Sequence, residues 1–151
     1  MKIRRLGKND GSAMLALNQL FADVFEEPEH YSGHWEDPTA LAERLAKPDV
    51  WAVVAEEDGR MIAGLTGYML DKLEAPVAEF YIYDLAVVVD RQRQGVGKAL
   101  LQEACRLAGE AGARLAFIQA DRGDEAPIGL YRSLATEEIV AHHFDLPTRG
   151  D

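Results

Sequence analysis

The run from Glu79 to Val89, Glu-Phe-Tyr-Ile-Tyr-Asp-Leu-Ala-Val-Val-Val, constrains this chain more than any other segment. It is aromatic and β-branched, and apolar at both odd and even positions. Such a strand must be covered on both faces, which places it at the centre of a sheet. The glycine-containing turn Gln92-Arg93-Gln94-Gly95-Val96-Gly97-Lys98 follows almost at once. A helix predicted over Gly95–Ala111 comes next. Its apolar stripe is Leu100, Leu101, Ala104, Leu107, Ala108 and Ala111, and Gly112 stops it. A buried strand feeding a helix through glycines excludes an all-helical or all-strand fold.

The remaining pattern extends this unit in both directions. Ile3–Leu6 reads as a short strand, and Asn9-Asp10-Gly11-Ser12 as turn and cap chemistry. Met14, Leu17, Phe21 and Val24 recur at helical spacing, predicting a helix near 12–25. Glu26–Pro38 reads as a loop, and a short helix around Leu41 and Leu45 ends before Pro48. Val50–Glu56 and Met61–Leu70 are strands joined by Glu57-Asp58-Gly59-Arg60, a hairpin turn. Arg114–Ala120 is a strand, Glu125–Leu134 a helix with Pro127 in its first turn, and Glu137–Leu146 a final strand or pair of strands. The expected order is β-α-α-β-β-β-α-β-α-β, a mixed α/β sheet in a single domain over 1–151.

Composition narrows the partners. Lys and Arg number 16 against 26 Asp and Glu, a net charge of −10. Nucleic acid and anionic membrane surfaces are therefore not expected partners, while cationic ones remain open. Cys105 is the only cysteine, so an internal disulfide is impossible and a reducing cytoplasm fits. The thiol is read as packing on the long helix. No apolar run approaches a membrane span, and Met1-Lys2-Ile3-Arg4-Arg5 does not open a signal peptide. No metal is expected, because His30 and His34, though four apart, lie in a Pro- and Gly-containing loop without the Glu of a zincin motif. Charge is unevenly placed: no Lys or Arg stands between Lys8 and Arg44, while Arg91, Arg93 and Lys98 cluster at the turn. The acidic stretches are either a solvated face or the mouth of a cation site.

The glycine turn carries the chemistry. Two glycines let backbone approach a ligand, and a helix N-terminus presents free N–H groups that suit a pyrophosphate. A P-loop fails at Gln92 and Ala99, and a dinucleotide fingerprint fails at Leu100. A purely structural strand-to-helix turn is the other reading. Gln92-x-x-Gly95-x-Gly97, directly after Leu85-Ala86-Val87, resembles the acetyl-CoA motif Q/R-x-x-G-x-G/A of the GNAT (Gcn5-related N-acetyltransferase) superfamily. The resemblance covers essentially the whole chain and implies the GNAT acyl-CoA N-acyltransferase fold. It implies pantetheine contacts from the backbone of Leu85, Ala86 and Val87. It implies pyrophosphate contacts from Arg93, Gln94, Gly95, Val96, Gly97 and Lys98. Tyr131, in Leu130-Tyr131-Arg132-Ser133-Leu134-Ala135, matches the family tyrosine that protonates the departing thiolate, with Ala135 in place of the family glycine.

A narrower resemblance rests on Tyr81-Ile82-Tyr83-Asp84-Leu85-Ala86-Val87, on Gln119-Ala120-Asp121-Arg122-Gly123-Asp124 and on His143-Phe144-Asp145. These look like aminoglycoside 3-N-acetyltransferases of the gentamicin-modifying type. The resemblance implies that Asp84 lies at the acceptor amine and that Asp124 contacts substrate amino groups, with Asp121 and Glu125 as further candidates. Tyr31 and His34 sit in the first long loop, which borders the acceptor in that superfamily. The implied function is acetyl transfer from acetyl-CoA to the 3-amino group of 2-deoxystreptamine, giving antibiotic resistance, in a homodimer. Physically, carboxylates suit a polycationic acceptor, and a charged Asp84 in an apolar strand is costly unless paired. Asp84 capping local backbone and Asp124 capping the 125–134 helix are the plainer readings of those two residues. Another cationic amine (a polyamine, a protein N-terminus or a lysine) and a non-catalytic CoA-binding module are the rival functions.

Overall fold

The structure, a computed structural model, describes residues 1–150. Two apolar strands, β2 (Val50–Glu57) and β3 (Arg60–Asp71), form a hairpin. Asp58 and Gly59 close it, both at positive φ (51° and 76°), the geometry that matches strand twist. β1 (Lys2–Arg5) adds to β2, and β4 (Ala78–Val87) adds antiparallel to β3. β5 (Ala113–Ile118) lies parallel to β4, which requires a crossover, and the helix between them supplies it. The result is a five-stranded mixed sheet in the order β1-β2-β3-β4-β5.

The chain divides into two compact units, Met1–Gln119 and the residues from Ala120 onward. The first holds the sheet and four helices: α1 (Gly11–Phe25), α2 (Pro28–Tyr31), α3 (Pro38–Leu45) and α4 (Val96–Glu110). Leu17, Leu20 and Phe21 of α1 and Leu41 and Leu45 of α3 cover one sheet face, over Ala52, Val54 and Ala86. The stripe Leu100, Leu101, Ala104 and Ala108 of α4 is 0–5% exposed against the sheet. The second unit holds α5 (Glu125–Leu134). No helix of the described residues is long and apolar enough to cross a membrane.

The mixed α/β class is as expected, and the order of α-helices and strands differs in two places. First, Glu26–Pro38 is not all loop. Pro28 fixes the first turn of α2, and the Ser32 N–H closes it on the Pro28 carbonyl at 2.9 Å. Second, Glu137–Leu146 forms no strand. Ile139, Val140, Phe144 and Leu146 are 76–81% exposed there, because strand propensity yields a strand only where a neighbouring edge supplies hydrogen bonds. Asp10 also departs from its expected capping role. Its carboxylate turns away from α1 to accept the Gly7 N–H at 2.7 Å and the Arg4 guanidinium at 3.0 Å.

One irregularity positions everything that follows. The β3–β4 register runs Gly67↔Ile82, then Thr66↔Asp84, leaving Tyr83 as an extra residue in β4. Such a bulge reverses the alternation beyond it. Phe80 packs on Trp51 with ring centroids 5.1 Å apart, whereas Ala86, of the same parity, packs among the α1 and α3 side chains on the other face. Gly67 makes the bulge sterically possible, since a Cβ there would lie 2.7 Å from the Phe80 ring and from the Tyr81 carbonyl oxygen. Gly67→Ala is therefore expected to destabilise the fold by about 1–3 kcal/mol. Denaturant unfolding checks this, through a lower transition midpoint at unchanged slope.

Candidate active site

Asp84 stands just past the bulge, which turns its side chain to the face carrying α1 and α2. The Tyr31 hydroxyl donates to Asp84 Oδ1 at 3.0 Å. Tyr31 is itself held by rings: its centroid lies 5.6 Å from Phe21, 5.5 Å from Phe25 and 4.6 Å from His30. Among the described residues Asp84 forms no ion pair. Burial pushes its carboxyl above the usual range, and the Glu27 charge adds slightly to this; the Tyr31 hydroxyl and His30 oppose it. Burial, and then the Asp84 charge, drive the Tyr31 phenol far above its ordinary value.

Three more tyrosines surround this carboxylate. Tyr83 meets Tyr81 edge-on at 5.6 Å and Tyr68 at 6.1 Å. Burial raises the phenols of Tyr68 and Tyr81, with the Asp84 charge contributing to both. Tyr81 is braced by a stack on Phe117 at 4.6 Å and by its hydroxyl donating to Gln119 at 2.9 Å. The sequence reading missed Tyr68, Tyr81 and Tyr83 as site residues. Strict alternation puts Tyr81 and Tyr83 opposite Asp84, and only the bulge brings them together. The available signal was the dipeptide Tyr83-Asp84 in the otherwise apolar run that follows Glu79.

The strand edge and the turn come next. β5 accompanies β4 only from Ala78 to Ile82, so Leu85, Ala86 and Val87 pair with β3 alone. The Gln92 side-chain N–H donates to the Val87 carbonyl at 2.9 Å, which ties the turn to the strand. Arg93 and Gly95 take positive φ (62° and 81°), and α4 starts at Val96. The first bond into this helix runs from the Ala99 N–H to the Gly95 carbonyl at 3.0 Å. The N–H groups of Val96, Gly97 and Lys98 are therefore the ones a helix start leaves unpaired. Val96 and Gly97 are buried, while Arg93, Gln94, Gly95 and Lys98 are exposed. The Gln94 side chain is engaged within the turn, accepting from Arg91 at 3.1 Å and donating to the Asp90 carbonyl at 3.1 Å. Arg91 is not a free cation of the turn: its guanidinium pairs with Glu57. An open strand edge leading into unpaired N–H groups fits a ligand with an amide-bearing arm and a phosphate.

His34 is exposed, its ring nitrogen 2.9 Å from the Glu29 carbonyl. Within the second unit, Asp121, Asp124 and Glu125 are exposed at the start of α5. Asp124 occupies the N-cap position but its side chain makes no capping bond, so the plain capping reading is corrected. Tyr131 lies in the last turn of α5, where burial, and then the Asp124 charge, hold its phenol above the usual range. Ala135 adopts extended backbone and ends the helix without a glycine. Cys105 is exposed on α4 rather than packed. No cluster of three His, Cys, Asp or Glu side chains among the described residues is arranged to hold a metal ion.

The acetyltransferase (GNAT) family model matches residues 14–135. The aminoglycoside acetyltransferase HMB0005, from an uncultured soil metagenomic sample, is similar at 34% identity over 97% of each chain, with a TM-score of 0.91. The aminoglycoside acetyltransferase meta-AAC0020, also from an uncultured soil metagenomic sample and solved with sisomicin, is similar at 33% identity over 97% of this chain and 96% of its own, with a TM-score of 0.83. The aminoglycoside N-acetyltransferase AAC(6')-Iy, solved with CoA, shares the fold at 17% identity over 97% of this chain and 94% of its own, with a TM-score of 0.76. No curated protein sequence matches.

The raised Asp84 carboxyl has a stability consequence. Its folded-state pKa exceeds the unfolded one, so the stability it contributes at low pH is lost as pH rises through the carboxylate range. Asp84→Asn is expected to raise the thermal midpoint at about pH 7, and the gain should vanish near about pH 3, where the carboxyl is protonated in both states. Thermal melts of both proteins across that range check the sign. A gain independent of pH would count against an ionised Asp84 at neutrality.

Proposed function

Because the chain belongs to the GNAT acetyltransferase family, we propose that it moves the acetyl group of acetyl-CoA to an aminoglycoside amine, the 3-amino group of the 2-deoxystreptamine ring in gentamicin-type compounds. The observation that carries the reading is Asp84, a half-buried carboxylate without an ion pair among the described residues, on the strand whose open edge leads into the glycine turn. Resemblance to two aminoglycoside acetyltransferases at 33–34% identity, one solved with sisomicin, supports this acceptor class.

Acetyl-CoA supplies a thioester whose carbonyl carbon accepts the amine. The backbone of Leu85, Ala86 and Val87 lines the pantetheine arm, and the N–H groups from Arg93 to Lys98 face the pyrophosphate, where the α4 dipole favours negative charge. Arg93 and Lys98 add charge. Asp84 holds the acceptor ammonium by a charge-assisted hydrogen bond and takes one proton from it; the nitrogen lone pair this frees then forms the N–C bond, and the nitrogen's second proton passes to solvent as the tetrahedral adduct collapses. A carboxyl raised by burial is a better base than an exposed one. Tyr131, still protonated at neutral pH, gives its proton to the thiolate as the C–S bond breaks. Asp121, Asp124 and Glu125 offer carboxylates to the acceptor's other ammonium groups.

Release of the CoA thiol, followed against sisomicin, gentamicin, spermidine and a lysine peptide, tests the reading, with the acetyl position of the product read by NMR. Turnover is expected to be fastest with the aminoglycosides. Faster transfer to spermidine or the peptide would assign another cationic acceptor. No turnover with any amine would leave a CoA-binding module. Asp84→Asn is expected to lower kcat by about 10²-fold, and Tyr131→Phe by about tenfold or more. Gly95→Val forces a side chain into a left-handed backbone at φ +81°, and should raise the acetyl-CoA KM while the acceptor KM stays put.

A further inference from the structure

We propose that Tyr31 is a positioning residue, whose hydroxyl fixes Oδ1 of Asp84 so that Oδ2 is the oxygen offered to the acceptor amine. This rests on the reading that Asp84 faces that amine.

The geometry is direct. Tyr31 is the terminal residue of α2, and its hydroxyl reaches across to β4 to sit 3.0 Å from Oδ1. The ring cannot swing freely, because Phe21 and Phe25 flank it at 5.6 and 5.5 Å and those two stack on each other at 5.6 Å. A phenol clamped this way is a fixed donor. It consumes one acceptor oxygen of the carboxylate and leaves the other, with its lone pairs, for a ligand. Carboxylate rotation about χ2 is ordinarily broad, so an unheld Asp84 would present either oxygen in many orientations. The hydrogen bond also favours the ionised form, the one that can attract an ammonium and accept a proton.

The groups facing Asp84 come from four places. They are Glu27 beyond α1, His30 and Tyr31 on α2, Tyr68 on β3, and Tyr81 and Tyr83 on β4. Of these, Tyr31 alone makes a hydrogen bond to the carboxylate among the described residues. The one proton of the Tyr31 hydroxyl is spent on Asp84, so it has no further hydrogen to donate to a substrate. Two rotamer-fixed elements, α2 and the bulged strand, set the direction of the catalytic oxygen, and the gain is one of orientation.

Tyr31→Phe tests this, since it removes one oxygen and keeps the ring packed on Phe21 and Phe25. The expected result has three parts. The kcat for the best acceptor falls about tenfold or more while acceptor KM holds. The acid limb of the kcat/KM profile moves to higher pH. The ¹³Cγ resonance of Asp84, in aspartate-labelled protein, titrates at higher pH than in wild type. In an Asp84→Asn background the further loss from Tyr31→Phe is expected to shrink, because the two act as one unit. An unmoved Asp84 titration overturns the proposal, as does an unchanged kcat. A raised acceptor KM at constant kcat also overturns it, assigning Tyr31 to substrate contact instead. If wild type acetylates no amine, the acceptor reading fails by that result alone. The Asp84 titration still decides whether Tyr31 controls the carboxylate.

Discussion

One extra residue in one strand governs this structure. Tyr83 has no partner across β3, and the side-chain alternation of β4 therefore reverses between Ile82 and Asp84. Without it, Asp84 would share a face with Phe80 and Ile82 and would be driven into the apolar layer under α4. An unpaired carboxylate there costs several kcal/mol in desolvation. With the bulge, Asp84 lands where Tyr31 reaches it, and Ala86 takes its place in the layer beneath α1. The bulge thus serves packing and chemistry together. Gly67 is what permits it, because the Phe80 ring and the Tyr81 carbonyl occupy the space a side chain would need.

The same strand solves a second problem, the placing of an open edge inside a folded sheet. Exposed edges invite wrong pairing. Here the edge is opened late: β5 holds β4 from Ala78 to Ile82 and then leaves it. The opening coincides with the bulge, which bends the strand and raises its local twist. The Gln92 amide caps the Val87 carbonyl at the far end, so the open stretch is short and bounded. Its residues remain anchored through β3, which keeps them rigid enough to meet a ligand without first being ordered.

Much of this was legible in the residues. The hairpin at Asp58-Gly59, the central strand, the glycine turn and the long helix follow from local pattern and appear as expected. What was not legible depends on pairing between distant segments. A bulge changes no residue type, so Tyr81, Tyr83 and Asp84 read as alternating when they in fact gather. Arg91 looked like part of a cationic turn, and only Glu57, at the end of β2, shows that its charge is spent. The Ile139–Leu146 stretch has strand composition without a strand to pair with. Pro28-Glu-His-Tyr31 is too short for periodicity to register, yet it carries the residue that holds Asp84.

The division of charge within the first unit follows from these pairings. Arg60 neutralises Asp90 at 2.8 Å, and Glu57 neutralises Arg91. Among the described residues Arg93 and Lys98 make no ion pair, so the positive potential at the turn comes from these two side chains and the start of α4. A few residues back along β4 the sign is opposite, since Asp84 is held by an uncharged phenol rather than a cation. A cationic partner would have cancelled that charge and removed its use; a hydroxyl orients it and leaves it standing. One strand thereby carries positive potential at its end and a standing negative charge at its bend, two opposite signs held along a single backbone.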